Sequence, residues 1–160
     1  MIHVGFTGTR RGMSPAKIEA VTMVMKRIAS AGVTLVAHHG DCVGADEDFH
    51  AIAYGVDAIV ETHPGPANRR DMRAFCDTET VHEPAGFFVR NRRIVSLATV
   101  MIATPFERAH QDHGGTWYTV DQALMRKKPL ALVLPRPRGE VLIEFSGGWR
   151  WPELPKEIAR

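Results

Sequence analysis

Cysteine is scarce: two in 160 residues. Cys42 and Cys76 stand at no metal-ligand or redox spacing, which excludes a disulfide framework, a zinc-finger module and a CxxC redox centre. Both are read as reduced thiols packed as small hydrophobes. Long apolar runs are missing too. None approaches the roughly 20 residues that a membrane helix needs. The start Ile2-His3-Val4-Gly5-Phe6-Thr7 lacks the basic segment and apolar stretch of a secretory signal. A cytoplasmic protein without a membrane partner is expected. Charge of one sign is also lacking, since the formal net charge is +2, too small for polyanion binding by charge alone. Two nucleotide motifs are absent. No Gly-Lys-Ser/Thr follows a glycine loop, and Gly5-Phe6-Thr7-Gly8 does not match the dinucleotide fingerprint. Triphosphate hydrolysis and nicotinamide hydride transfer lose their support, and no cofactor is expected.

What is present is a regular alternation of strand and helix patterns. Apolar runs at Ile2–Thr7, Val33–Ala37, Val56–Val60, Thr99–Ala103 and Pro129–Leu134 read as five strands. Ser14-Pro15 is a helix start, with Ser as N-cap and Pro at the first helical position. Ile18, Val21, Met25 and Ile28 follow at helical spacing, and Gly32 ends the run. Further helices are expected over Gly44–Tyr54, Phe87–Leu97 and Gly115–Arg126, with a short basic helix around Asn68–Cys76. A strand-like run, Glu140–Phe145, and a tail with Trp149 and Trp151 close the chain. Such alternation specifies an α/β fold: a Rossmann-like, doubly wound parallel sheet in a three-layer sandwich. One domain over 1–160 is expected, with a core at 1–135 and a C-terminal extension at 136–160.

In such a sheet, ligands bind beyond the carboxyl ends of the strands, where the winding reverses. The strand order expected is 3-2-1-4-5, so the loops after strands one and four face each other. Three loops at this edge carry glycine: Thr7-Gly8-Thr9-Arg10, then His38-His39-Gly40-Asp41 leading to Gly44-Ala45-Asp46, and Asp112-His113-Gly114-Gly115-Thr116. Paired glycines at a helix start let the backbone approach an anion, and free N–H groups with the helix dipole favour negative charge. Arg10 can fork onto phosphate. The expected ligand is a phosphate ester seated at Gly114-Gly115-Thr116, with Gly8, Thr9 and Arg10 opposite.

These ordered motifs, together with Arg90-Asn91-Arg92 and Gly114-Gly115-Thr116-Trp117, resemble the SLOG superfamily over about residues 1–135. The nearest likeness is to its YspA-like branch, related to DprA and to the LOG nucleosidases. The resemblance implies a Rossmann-like fold that binds a nucleotide or a nucleotide-derived signal. It implies a pocket lined by Gly8, Thr9, Arg10, Gly40, Asp41, Gly44 and Asp46, with Arg90 and Asn91 near phosphate or ribose. The phosphate would rest on Gly114, Gly115 and Thr116. LOG nucleosidases carry Gly-Thr-x-x-Glu; here Thr119 stands at the glutamate position. Binding is therefore the leading reading. The alternative is an N-glycosidase or deoxyribosyltransferase acting on nucleoside 5′-monophosphates through a displaced carboxylate, with Asp41 and Asp46 the candidates and Asp112 a further one. Single-stranded DNA binding of the DprA kind is the weakest reading, because basic residues are few.

His38, His39, His110 and His113 invite a metal reading, but adjacent histidines in a strand point to opposite faces, and no metal site is expected. A neutral His39 beside Asp41 is a candidate for contacting base or ribose. Related proteins commonly dimerise, and a homo-oligomer is the expected state, through the Phe87–Leu97 helix or the Trp-bearing tail.

Overall fold

The sheet runs in the order β4-β3-β2-β1-β5-β6-β7 in the computed structural model, which describes residues 1–159. The strands are β1 (Ile2–Gly8), β2 (Leu35–His39), β3 (Ile59–Thr62), β4 (Thr80–Val81), β5 (Val100–Thr104), β6 (Leu130–Pro135) and β7 (Val141–Ser146). Neighbours are parallel from β4 through to β6, and β7 returns antiparallel to β6. The five strands read from sequence are thus the central ones, in the expected order. β1 lies between β2 and β5, so the winding reverses at its edge with β5. The Glu140–Phe145 run becomes β7 and extends the same sheet.

Four helices cover the two faces: α1 (Pro15–Ala29), α2 (Ala45–Gly55), α3 (Phe87–Leu97) and α4 (Gly115–Met125). Val21, Val24, Met25 and Ile28 of α1 pack with Phe49 and Ile52 of α2 over one face. Ile94 and Val95 of α3 pack with Trp117, Val120 and Ala123 of α4 over the other. These clusters make the three-layer sandwich. Trp149 and Ile158 of the tail join the first cluster. No helix among the described residues is long and apolar enough to cross a membrane.

Local chemistry explains the element ends. Ser14 is extended, and its side chain accepts from Lys17 N at 3.3 Å, while Lys26 and Arg27 sit in the last turn of α1, favourable to the dipole. Ile18, read on the same stripe, lies at its edge and is 37% exposed. In α3 the buried residues are Arg90, Asn91, Ile94 and Val95. Leu97, the last residue of the helix, is exposed.

The middle of the chain departs from the sequence reading in two places. The basic segment Asn68–Cys76 forms only a 3-10 turn at Arg70–Met72, since its backbone is engaged elsewhere: Val43 N bonds to Met72 O and Ala74 N to Asp41 O. β4 has just two residues and carries no periodicity to read. Removing the α1 cap tests this local account. Ser14→Ala should cost about 1 kcal/mol in urea unfolding, and Ser14→Asp should keep near-native stability.

Candidate functional site

A cleft of about 540 Å³ opens at the carboxyl edge of the sheet, a size that suits a small molecule. Gly8, Thr9 and Arg10 after β1 line one side, and Gly114, Gly115 and Thr116 line another. Gly40 and Asp46 reach it from the β2 side, and Arg90 and Asn91 from α3. The three glycine loops expected to face one another therefore do so, because Gly8 pairs with Thr104 at the β1–β5 edge.

The two helix N-termini at this edge differ in charge. α2 begins with Asp46, Glu47 and Asp48, and Glu47 turns back to accept from Gly44 N at 2.8 Å. Its dipole is already answered. α4 begins with Gly114 at φ 89, has no side-chain cap and has no acid in its first turn. The positive φ suits glycine and turns the chain so that the bare amide end opens into the cleft. Asn91 Nδ2 donates to Gly115 O at 3.3 Å, and Thr119 Oγ1 donates to the same oxygen at 2.7 Å. These bonds fix the turn. Thr119, where a LOG enzyme would carry glutamate, is buried and turned back on its own helix.

Arg90 is buried (5 % exposed) and is not a solvated helix face. Its Nη1 donates to Gly40 O and, at 3.0 Å, to His63 O; its Nη2 lies 3.4 Å from Cys42 Sγ. A Cβ on residue 40 would fall 1.9 Å from Arg90 Nη1, so the close approach requires Gly40. Arg90 Nε is buried without a partner. Asp46 is buried as well, and its Oδ2 accepts from Cys42 N at 3.0 Å. Burial pushes its carboxyl up to about 6, against the pull of Arg90.

Four candidate site residues stand apart from the cleft. His39 is fully buried on the α2 side, with Nε2 at 2.9 Å from His50 Nδ1; strand alternation turns it away from the face that carries α3. Asp41 is buried and spends its carboxylate on Arg73 Nε at 2.6 Å and Cys76 N at 2.8 Å. It clamps the 70–77 segment rather than facing the ligand space. Gly44 packs on the loop after β1, where a Cβ would lie 2.3 Å from Arg10 O, so its service is to hold that loop. Asp112 is exposed beyond the rim and does not line the cleft.

Sequence reasoning missed the aromatic walls. Phe87 and Phe106 line the cleft. The Arg10 guanidinium lies 5.1 Å from the Phe87 ring centre, and that of Arg11 lies 4.0 Å from the Phe106 ring centre. Phe87 was read only as the first residue of a helix, and Phe106 lies in a loop of no regular period. Lys17 was also missed. Its buried ammonium donates to Pro105 O at 2.7 Å and anchors the loop leading to Phe106, and burial lowers its pKa.

No protein-family model and no curated protein sequence matches the chain. Solved structures do. The molybdenum cofactor binding protein from the phototrophic bacterium Rippkaea orientalis is similar at 21% identity and TM-score 0.60, over 82% of this chain and 75% of that one. DNA processing protein A from Streptococcus pneumoniae is similar at 19% identity and TM-score 0.62, over 86% of this chain but only 52% of that one. DNA processing protein A from Helicobacter pylori, whose single-stranded DNA binding mode has been described, is similar at 18% identity and TM-score 0.55, over 87% of this chain and 68% of that one. The likeness shows a shared fold, the Rossmann-like fold that the SLOG resemblance implied.

The Asp46 carboxyl yields a pH prediction. The folded protein holds that proton more tightly than the unfolded chain does, so Asp46 lowers stability as pH rises from 3.8 to about 6. The deficit persists above that range. Asp46→Asn should therefore be more stable than the parent at pH 7.5, by on the order of 1–3 kcal/mol. The difference should close at pH 3.5, as read by urea unfolding at both values.

Proposed function

We propose that the cleft binds a nucleotide or nucleotide-derived ligand, with its phosphate on Gly114-Gly115-Thr116 and its base against the arginine-backed rings of Phe87 and Phe106. The observation that carries this reading is the uncapped, acid-free start of α4 opening into a cleft that also holds Arg10. Helix amides and a guanidinium converging from two sides favour a tetrahedral oxyanion over a neutral ligand. The aromatic surfaces favour a planar ring system. The outer face of α3, where Phe88, Val89 and Leu97 are exposed, is the surface offered to the expected self-association.

A second reading has one observation of its own. Asp46 is a buried carboxyl on the wall of the same cleft, with its pKa raised to about 6. Such a group suits general acid chemistry at a glycosidic bond. Asp41 is withdrawn by Arg73 and Thr119 is not an acid, so an N-glycosidase reading rests on Asp46 alone. Release of free base from a nucleoside 5′-monophosphate, abolished in Asp46→Asn, would establish it. Single-stranded DNA binding would instead show a steep fall of affinity with salt.

Thermal unfolding with a panel of nucleoside phosphates and cyclic ADP-ribose tests the binding reading. The molybdenum cofactor belongs in the panel, since a protein of this fold binds it. A ligand that fits raises Tm by mass action. Arg10 is exposed, so Arg10→Ala should leave the unliganded Tm unchanged. It should weaken binding by roughly 10- to 100-fold, the loss of one charge-assisted hydrogen-bond donor. No stabilisation by any ligand at millimolar concentration would contradict the proposal.

A further inference from the structure

Four histidines spread across the sequence meet on the α3 face of the sheet. Strand register places them. His38 on β2 is opposite Glu61 on β3, and Thr62 is opposite Val81 of β4. His63 and His82 are the next residues in each strand direction, so their rings stack at 4.1 Å with an interplanar angle of 8°. His3 on β1 stacks on His38 from the other side, at 5.1 Å and 12°. An imidazole row thus crosses four neighbouring strands, with Glu61 inside it.

The donor atoms converge. His38 Nδ1 is 3.1 Å from His63 Nε2 and 3.7 Å from Glu61 Oε2, and that oxygen is 2.7 Å from His82 Nε2. One donor atom from each of the four residues lies within 4.8 Å of all the others. Tetrahedral zinc with bonds of 2.0–2.1 Å needs donor separations of ~3.3 Å, which the three short distances bracket. Nitrogen and carboxylate donors suit zinc, which takes imidazole readily and has no geometric preference of its own to enforce.

We infer that His38, Glu61, His63 and His82 form a zinc site with four protein ligands. The outer shell agrees with this reading. His38 Nε2 lies 2.8 Å from His3 Nδ1, a bond that fixes which His38 nitrogen faces the donor cluster. Glu61 and His82 are 24% and 30% exposed in their side chains, which supplies an entry path.

Four protein ligands leave no open position, the mark of a structural site rather than a catalytic one. Its service is evident from β4. Two residues of ladder are a weak hold on an edge strand. A metal shared by β2, β3 and His82 would pin that edge, and with it the chain that enters α3 at Phe87.

The full chain, stripped with a chelator and titrated calorimetrically with Zn²⁺ alone, tests the site. One zinc per chain and a raised Tm are expected. Co²⁺ should give the intense visible absorption of tetrahedral coordination. His82→Ala and Glu61→Gln change partly exposed side chains, and each should weaken zinc binding by roughly tenfold or more, at least the loss seen for outer-shell partners. Cys76→Ser disrupts the other donor group, His39, His50 and Cys76, and should leave stoichiometry and affinity unchanged. Absence of saturable zinc binding would overturn the inference. So would binding that survives both His82→Ala and Glu61→Gln, or binding lost in Cys76→Ser.

Discussion

A single buried guanidinium organises the ligand edge of this protein. Arg90 leaves α3, passes between the ends of β2 and β3, and donates to the carbonyls of Gly40 and His63. Those two carbonyls belong to the loops that would otherwise end the strands without partners. Asp46 stands close enough to feel the charge, so the cation has a buried counter-group. Removing the guanidinium should cost about 3–5 kcal/mol, because both carbonyls and the Asp46 carboxyl would stay buried without it. The constraint also dictates sequence nearby: nothing larger than Gly40 fits beside Arg90 Nη1.

Arg90 ties the ends of β2 and β3 together, and the larger cleft opens beside it toward the β1–β5 edge. That is where a doubly wound sheet reverses and where its ligands go. The two helices that begin there are treated differently. α2 receives three acids in its first turn, and α4 receives none. An anion approaching this edge therefore meets repulsion at one helix and attraction at the other. This asymmetry is the electrostatic ground for proposing the phosphate at α4, with Arg10 and its Phe87 partner on the facing wall.

Most of the architecture was legible in the chain, because its signals are periodic or local. Ser14-Pro15 marks the start of α1, and Phe87–Leu97 marks α3 to the residue. Apolar runs alternating with helices suffice for the strand order. What was not legible depends on contacts distant in sequence. Arg90 reads as one cation in a basic run until Gly40 and His63 are brought to it. Asp41 reads as a pocket carboxylate until Arg73 takes it. His39 and His38 are neighbours in the chain but serve opposite faces, one meeting His50 and the other His63. His3, His38, His63 and His82 carry no spacing that announces a group; only parallel register places them side by side. β4 escaped notice because two residues have no period.

The account's central claim is that the amide end of α4 and the loop after β1 form one anion site. Amide chemical shifts of the ¹⁵N-labelled protein, titrated with a nucleoside 5′-monophosphate, test it directly at 17.8 kDa. The account predicts saturable shifts concentrated at Gly8, Thr9, Arg10, Gly114, Gly115 and Thr116, with the first turn of α2 unaffected. Shifts confined to residues outside this edge, or centred on Ala45–Asp48 at the start of α2, would contradict it.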